Sequence, residues 1–179
     1  MVSAPSGAGK TTLCKAARER LPQLVYSVSS TTRRPRKGEI DGQDYFFVSE
    51  AQFRKGIEHG LWAEWAKVHD NYYGTSARFL DDHLQAGRDV LLDIDVQGAR
   101  QILQRYPEAV TIFIAAPSMA VLRQRLTARG LDSPEVIDLR LKNARTEMDC
   151  RDLYRHVVVN DDLETAIEQF VDILNDGAG

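Results

Sequence analysis

Eight residues near the start of the chain, Ala4-Pro5-Ser6-Gly7-Ala8-Gly9-Lys10-Thr11, have the types and spacing needed to hold phosphate. Gly7 and Gly9 permit positive φ and close backbone approach. Successive N–H groups can therefore turn inward and form an anion nest at a helix N-terminus. Lys10 supplies a point charge for the β and γ phosphates of a nucleotide, and the Thr11 hydroxyl is suited to ligating Mg²⁺. The pattern is a Walker A loop with alanine at the first glycine position. Asp93 follows the apolar run Val90-Leu91-Leu92 and is the expected strand-end carboxylate on the same ion or its water. The plainer reading is a glycine-rich turn that only caps a helix. A strand stub before the loop, a helix after it and Asp93 downstream argue together for phosphate.

These residues need elements to position them. Met1 to Ser3 reads as a strand stub, and Lys10 to Leu21 as a helix with Leu13, Ala17 and Leu21 on one face before Pro22. Only three residues precede Ala4, whereas a buried central strand takes about five or six. The first strand is expected to be short or to be completed by residues upstream of Met1. Val25 to Ser30 is β-prone, and the basic stretch from Thr31 to Gly38 is a loop because Pro35 and Gly38 interrupt it. Tyr45 to Val48 is a further strand. Ser49 and Gln52 have capping-box spacing ahead of a helix carrying Phe53 and Ile57, and Gly60 is its stop. Leu61 to Val68 and Tyr72 to Thr75 flank a turn at His69-Asp70-Asn71, with Trp62 and Trp65 expected on opposite strand faces.

From Ala77 onward helix and strand alternate: 77–86, 90–94, 96–106, 110–115, 118–129, 134–150, 157–160 and 163–174. The runs Val90-Leu91-Leu92 and Val110-Thr111-Ile112-Phe113-Ile114 look like strands buried on both faces, as in parallel sheets covered by helices. Ser133-Pro134 is expected to cap the second of two helices joined near Gly130, a hairpin suited to being a lid. The fold class is α/β.

The 179 residues are 43% hydrophobic and 27% charged, enough for one compact globular unit. A net charge of -3 and a pI near 5.8 speak against a general nucleic-acid or membrane surface, so an anion site must be a local cluster. Cys14 and Cys150 stand apart without a metal-binding or disulfide pattern, and no apolar run approaches the length of a membrane span. A cytoplasmic location is expected. The chain could be a monomer or a homo-oligomer.

Beyond the loop, the sequence resembles the guanylate kinase family over nearly its whole length. The resemblance is carried by Ser3 to Thr12, Ser27 to Arg36, Gly38-Glu39, Asp44 to Val48, Glu64-Trp65-Ala66, Tyr72 to Thr75, Leu92 to Gly98 and Val159 to Asp162. It implies transfer of the γ-phosphoryl of MgATP to GMP, with dGMP as a further acceptor, giving ADP and GDP. The implied architecture is a P-loop NTPase-type three-layer core around a parallel sheet, at 1–30, 77–121 and 151–179. A small mixed α/β lobe for GMP is inserted at 31–76, and a helical lid spans 122–150. Lobe and lid are expected to close when both substrates bind.

The implied roles agree with the chemistry of the residues. An acceptor phosphate that is largely dianionic, with a second pKa of about 6, needs no general base. Its difficulty is repulsion, which fixed cations and hydroxyl donors can offset. Arg33, Arg36, Tyr45 and Tyr73 are suitable donors and match the family's grip on the GMP phosphate. Guanine presents N1–H and an amino group beside the acceptor O6. Glu64 or Asp95 can accept from it and Ser29 or Thr75 can donate, and the resemblance places all four in the guanine pocket. Thr12 and Asn160 join the loop residues Ala4 to Thr11 at the ATP site. Arg125 and Arg129, four apart on one helix face, and Arg140 on the next helix look like the family's lid arginines, although each alone reads equally well as a solvated basic face. Lys10, Arg33, Arg125, Arg129 and Arg140 form the implied catalytic set.

Two rival readings keep the fold and change the function. One is an interaction module that has lost catalysis; the retained Gly9, Lys10, Thr11, Arg33 and Arg129 argue against it. The other is a kinase of a different phosphorylated metabolite, against which Glu64 with Ser29 and Thr75 speaks for guanine.

Overall fold

A computed structural model describes residues 1–68, 70–130 and 132–177. In chain order the elements are β1 (Val2–Ser3), α1 (Lys10–Arg20), β2 (Val25–Ser27), β3 (Ser30–Thr31), β4 (Phe46–Phe47), α2 (Glu50–Glu58), β5 (Trp62–Val68) and β6 (Asn71–Ser76). They continue with α3 (Ala77–Gln85), β7 (Val90–Leu92), α4 (Val96–Arg105), β8 (Ile112–Ala115), α5 (Met119–Ala128), α6 (Pro134–Met148), β9 (His156–Val159) and α7 (Leu163–Asp176). The α/β class read from the alternating pattern is present, with parallel strand pairing. The chain divides into two compact units, Met1–Pro22 with Val110–Gly179, and Gln23–Ala109.

In the first unit β8 lies between β1 and β9, both parallel to it, with Val2 opposite Ile112 and Ala115 opposite Val159. All four residues of β8 are buried, as expected of a parallel strand covered on both faces. The helices pack as α1 on α7 and α5 on α6, burying Leu13, Leu122, Leu126 and Phe170 almost completely. Cys14 is buried among them, in line with its reading as a small core residue. Ser133 is the N-cap of α6 and Pro134 its first residue. The Ser133 hydroxyl bonds the Glu135 carboxylate at 2.6 Å rather than a backbone N–H, so the capping is positional only.

The second unit holds a parallel pair, β2 with β7, and a four-stranded sheet in the order β4-β3-β6-β5. The β-prone run 25–30 is therefore two strands, because Val25–Ser27 pairs with β7 while Ser30–Thr31 pairs with β4 and β6. The capping box at Ser49 and Gln52 forms in both directions. In the turn after β5, Asp70 takes the left-handed conformation at φ 66°; its neighbour His69 lies outside the described residues.

The tryptophans depart from expectation. A bulge between Trp62 and Glu64 inserts one residue into the alternation of β5. Trp62 stacks on Phe53 at 4.4 Å, Phe53 on Tyr72 at 5.2 Å, and Trp65 meets Tyr72 at 5.9 Å, so the indoles share one aromatic face. The same register turns Glu64, Tyr73 and Thr75 to the other face.

Candidate nucleotide-binding sites

In the first unit the loop 4–9 runs from β1 into α1. Gly7 has φ 90° and Gly9 φ 99°, values that glycine adopts without strain. The turn is closed by the Ala8 N–H donating to the Pro5 carbonyl at 3.1 Å, while the Gly9 carbonyl accepts from the N–H groups of Thr12 and Leu13 at 3.0 and 3.1 Å. Among the described residues no side chain caps α1 and no acidic residue lies in its first turn, and a helix N-terminus of this kind favours an anion. Lys10 is the first residue of that helix and Thr11 the second, the latter exposed.

Asn160, at the end of β9, is buried beneath this loop. Its Nδ2 donates to the Ala8 carbonyl at 2.7 Å, and its own carbonyl accepts from Arg125 Nη2 at 2.9 Å. A β-carbon added at Gly9 would collide with that Nδ2, and one at Gly7 would come within 3.3 Å of Leu126. Asn160 Oδ1 and Arg125 Nη1 are buried and have no hydrogen-bond partner among the described residues. One accepts and the other donates, and buried polar atoms ordinarily have partners. Both residues border a cavity of about 410 Å³ lined also by Gly7, Gly9, Thr12 and Arg129, within the range of roughly 300–1,000 Å³ usual for small-molecule sites. Arg129 is the C-cap of α5, one residue beyond the helix, so Arg125 is on the helix and Arg129 at its end. Arg140, from α6, donates to Ser6 Oγ at 3.0 Å and pairs through Nε with Asp132 at 3.2 Å.

In the second unit Glu64 is almost fully buried, and one of its oxygens accepts from the Thr75 hydroxyl at 2.6 Å. Its other oxygen lies over Gly98, where any β-carbon would meet it. Asp95 is the N-cap of α4, its Oδ1 accepting from the Gly98 N–H at 2.8 Å and its Oδ2 from Gln97 at 3.2 Å. Ser29 lies between β2 and β3 and is half-buried.

The phosphate-grip candidates form a second cluster. The Arg33 guanidinium sits 5.3 Å over the Tyr45 ring, and Tyr45 meets Tyr73 edge-on at 6.0 Å. Arg36 is exposed in the loop after β3. Hydrogen bonding to Glu39 raises the Arg33 pKa and, reciprocally, holds the Glu39 carboxyl below its usual range. Glu39, with Asp132 and the clamping role of Asn160, was not assigned from sequence. An acid inside a basic loop was the available signal for Glu39.

For the metal, Thr11 belongs to the first unit and Asp93 to the second, where Asp93 is half-buried at the end of β7 with Tyr26 Oη 3.5 Å away. No cluster of three or more His, Cys, Asp or Glu among the described residues could hold a metal by itself. The donors are hard oxygens, one hydroxyl and one carboxylate. Each by itself is of the type that fits Mg²⁺, a cation usually held chiefly by substrate phosphates and water.

A glycine nest opening a helix within parallel-stranded α/β architecture defines a P-loop nucleotide-binding protein. The chain belongs to the guanylate kinase family, whose profile matches residues 1–177. It is 48% identical over 169 residues to the guanylate kinase of Caldanaerobacter subterraneus, covering 94% of this chain and 82% of that one. With the Geobacter sulfurreducens guanylate kinase it shares 49% over 174 residues, covering 97% and 86%. The crystal structure of guanylate kinase from Anaplasma phagocytophilum superposes with a TM-score of 0.80 at 36% identity, over 98% of this chain and 82% of that one.

Proposed function

We infer that this chain is a guanylate kinase that transfers the γ-phosphoryl of MgATP to GMP, and to dGMP, releasing ADP and GDP in purine nucleotide metabolism. The observation that carries the acceptor assignment is the buried Glu64 carboxylate held by Thr75 in a chain of this family. A buried carboxylate accepts from the N1–H and 2-amino group of guanine. Adenine, with an acceptor at N1, would offer the carboxylate no donor there, at a cost of about 1–3 kcal/mol.

In the reaction a GMP phosphate oxygen attacks the γ-phosphorus as the bond to the β,γ-bridging oxygen breaks, and ADP leaves. The attacking group is already anionic and no base is required. Residues Ala4 to Thr12 and Asn160 bind ATP, with Lys10 on the β and γ phosphates. Thr11 and Asp93 would hold Mg²⁺, which would supply charge neutralisation to the phosphates. Arg33, Arg36, Tyr45 and Tyr73 hold the GMP phosphate. Ser29, Glu64, Thr75 and Asp95 read its base. Arg125, Arg129 and Arg140 offset charge on the transferred group.

This reading assigns 31–76 as the GMP lobe, 122–150 as the lid and the remainder as the core. Among the described residues no helix is long and apolar enough to cross a membrane, and a cytoplasmic enzyme is the matching proposal. A coupled assay of ADP release from MgATP against AMP, CMP, UMP, GMP and dGMP tests the function. Turnover confined to GMP and dGMP is expected, and an intact protein that left GMP unphosphorylated would refute it.

A further inference from the structure

Glu39, in the loop between β3 and β4, has no part in the reaction as derived above. Its carboxylate meets Arg33 edge-on, Oε1 accepting from Nη2 at 2.8 Å and Oε2 from Nη1 at 3.0 Å. Oε2 also accepts the main-chain N–H of Arg36 at 2.6 Å. The other Nη1 hydrogen goes to the Arg34 carbonyl at 2.8 Å. A guanidinium carries five N–H donors arranged as two forks that share Nη2. Glu39 and Arg34 consume both hydrogens of Nη1 and one of Nη2, so the Nε–Nη2 fork lies outside the Glu39 pair, and the Tyr73 hydroxyl also interacts with this guanidinium. The pair is well shielded, with side chains 14% and 19% exposed, and the guanidinium rests over the Tyr45 ring beside Tyr73.

We propose that Glu39 is a positioning residue of the acceptor site. It locks Arg33 by one fork so that the other is presented to the GMP phosphate, and through the Arg36 N–H it sets the loop that carries both arginines. The inference rests on the reading that Arg33 grips that phosphate. Electrostatics alone predicts the opposite sign: removing a carboxylate from a cationic anion site should tighten binding. Positioning predicts weakening, because an unheld arginine must be ordered by the substrate itself.

The test compares Glu39→Gln, Glu39→Asp, Arg33→Ala and the Glu39→Gln/Arg33→Ala double variant by steady-state kinetics and thermal melting. Glu39→Gln is expected to raise KM for GMP about tenfold with KM for ATP unchanged, Glu39→Asp to recover part of the loss, and the double variant to resemble Arg33→Ala. An unchanged or lowered KM for GMP in Glu39→Gln, where Arg33→Ala raises it, overturns the positioning role and leaves the phosphate grip standing. So would equal rises in both KM values together with a lowered melting temperature, which mark a merely structural residue. If Arg33→Ala itself leaves KM for GMP unchanged, the grip reading fails and the role of Glu39 falls with it.

Discussion

The side-chain amide of Asn160 donates to the main-chain carbonyl of Ala8 at 2.7 Å, joining positions 152 residues apart. The phosphate loop is thus held by the residue that follows β9. Asn160→Asp cannot donate and sets a negative charge under the loop. ATP affinity should fall about tenfold or more, as for other losses of a buried donor, while GMP affinity is unchanged. Isothermal titration with each nucleotide checks this.

Gly9 combines φ 99° with a β-carbon position blocked by Asn160, whereas Gly60, at φ 64°, faces open space. Gly9→Ala should impair ATP binding and cost more than the about 1–2 kcal/mol expected for left-handed strain alone. Gly60→Ala should cost only that strain and leave both KM values intact. Denaturant titration and kinetics of the two variants separate them.

Lys10 sits at the uncapped start of α1. Lys10→Ala should lower kcat by about 10³-fold, the scale of losing one transition-state charge contact, with GMP binding retained. Single-turnover kinetics and GMP titration read the two effects separately.

Gly98 allows α4 to lie against the Glu64 carboxylate. Alanine is the better helix former by about 1 kcal/mol, yet Gly98→Ala should raise KM for GMP by displacing Glu64, leaving ATP unaffected. Glu64→Gln retains an oxygen for the Thr75 hydroxyl and loses the charge, so GMP should weaken far more than ATP. A nucleotide panel run on both variants compares these outcomes.

The Glu39 carboxyl lies below its ordinary value of 4.5, chiefly through its hydrogen bond from Arg33. A depressed folded-state pKa stabilises the fold fully above 4.5 and progressively less as pH falls through the lower folded value. The stability difference between wild type and Glu39→Gln should therefore be flat at neutral pH and shrink under acid. Urea midpoints measured across that range provide the check.

Punctuation and period made most elements legible. Ser49 and Gln52 announced α2, Gly7 and Gly9 the nest, and an unbroken apolar run the buried strand β8. What escaped was set by partners rather than by local pattern. Val25 to Ser30 reads as one strand, since nothing in it reveals that its halves pair with different neighbours. The bulge that brings Trp62 and Trp65 to one face leaves no compositional trace. Arg33 and Arg36 were readable as candidate phosphate ligands from their type, while the Glu39 contact depends on the path of an irregular loop. Of the site residues, Glu64 and Thr75 were the most legible pair, and their hydrogen bond forms as their cross-strand register requires.

Residues Gln23–Ala109 form an uninterrupted unit, whereas Val2 finds its partner only at Ile112. During translation the middle segment possesses all of its own strand partners before β1 acquires its partner β8. Compact units mature as their sequence becomes complete, and non-local pairing closes slowly. Strand β1, although it precedes that unit in the chain, is consequently among the last to be secured, and until then the nascent chain carries the phosphate loop without the strand β8 that pairs with it.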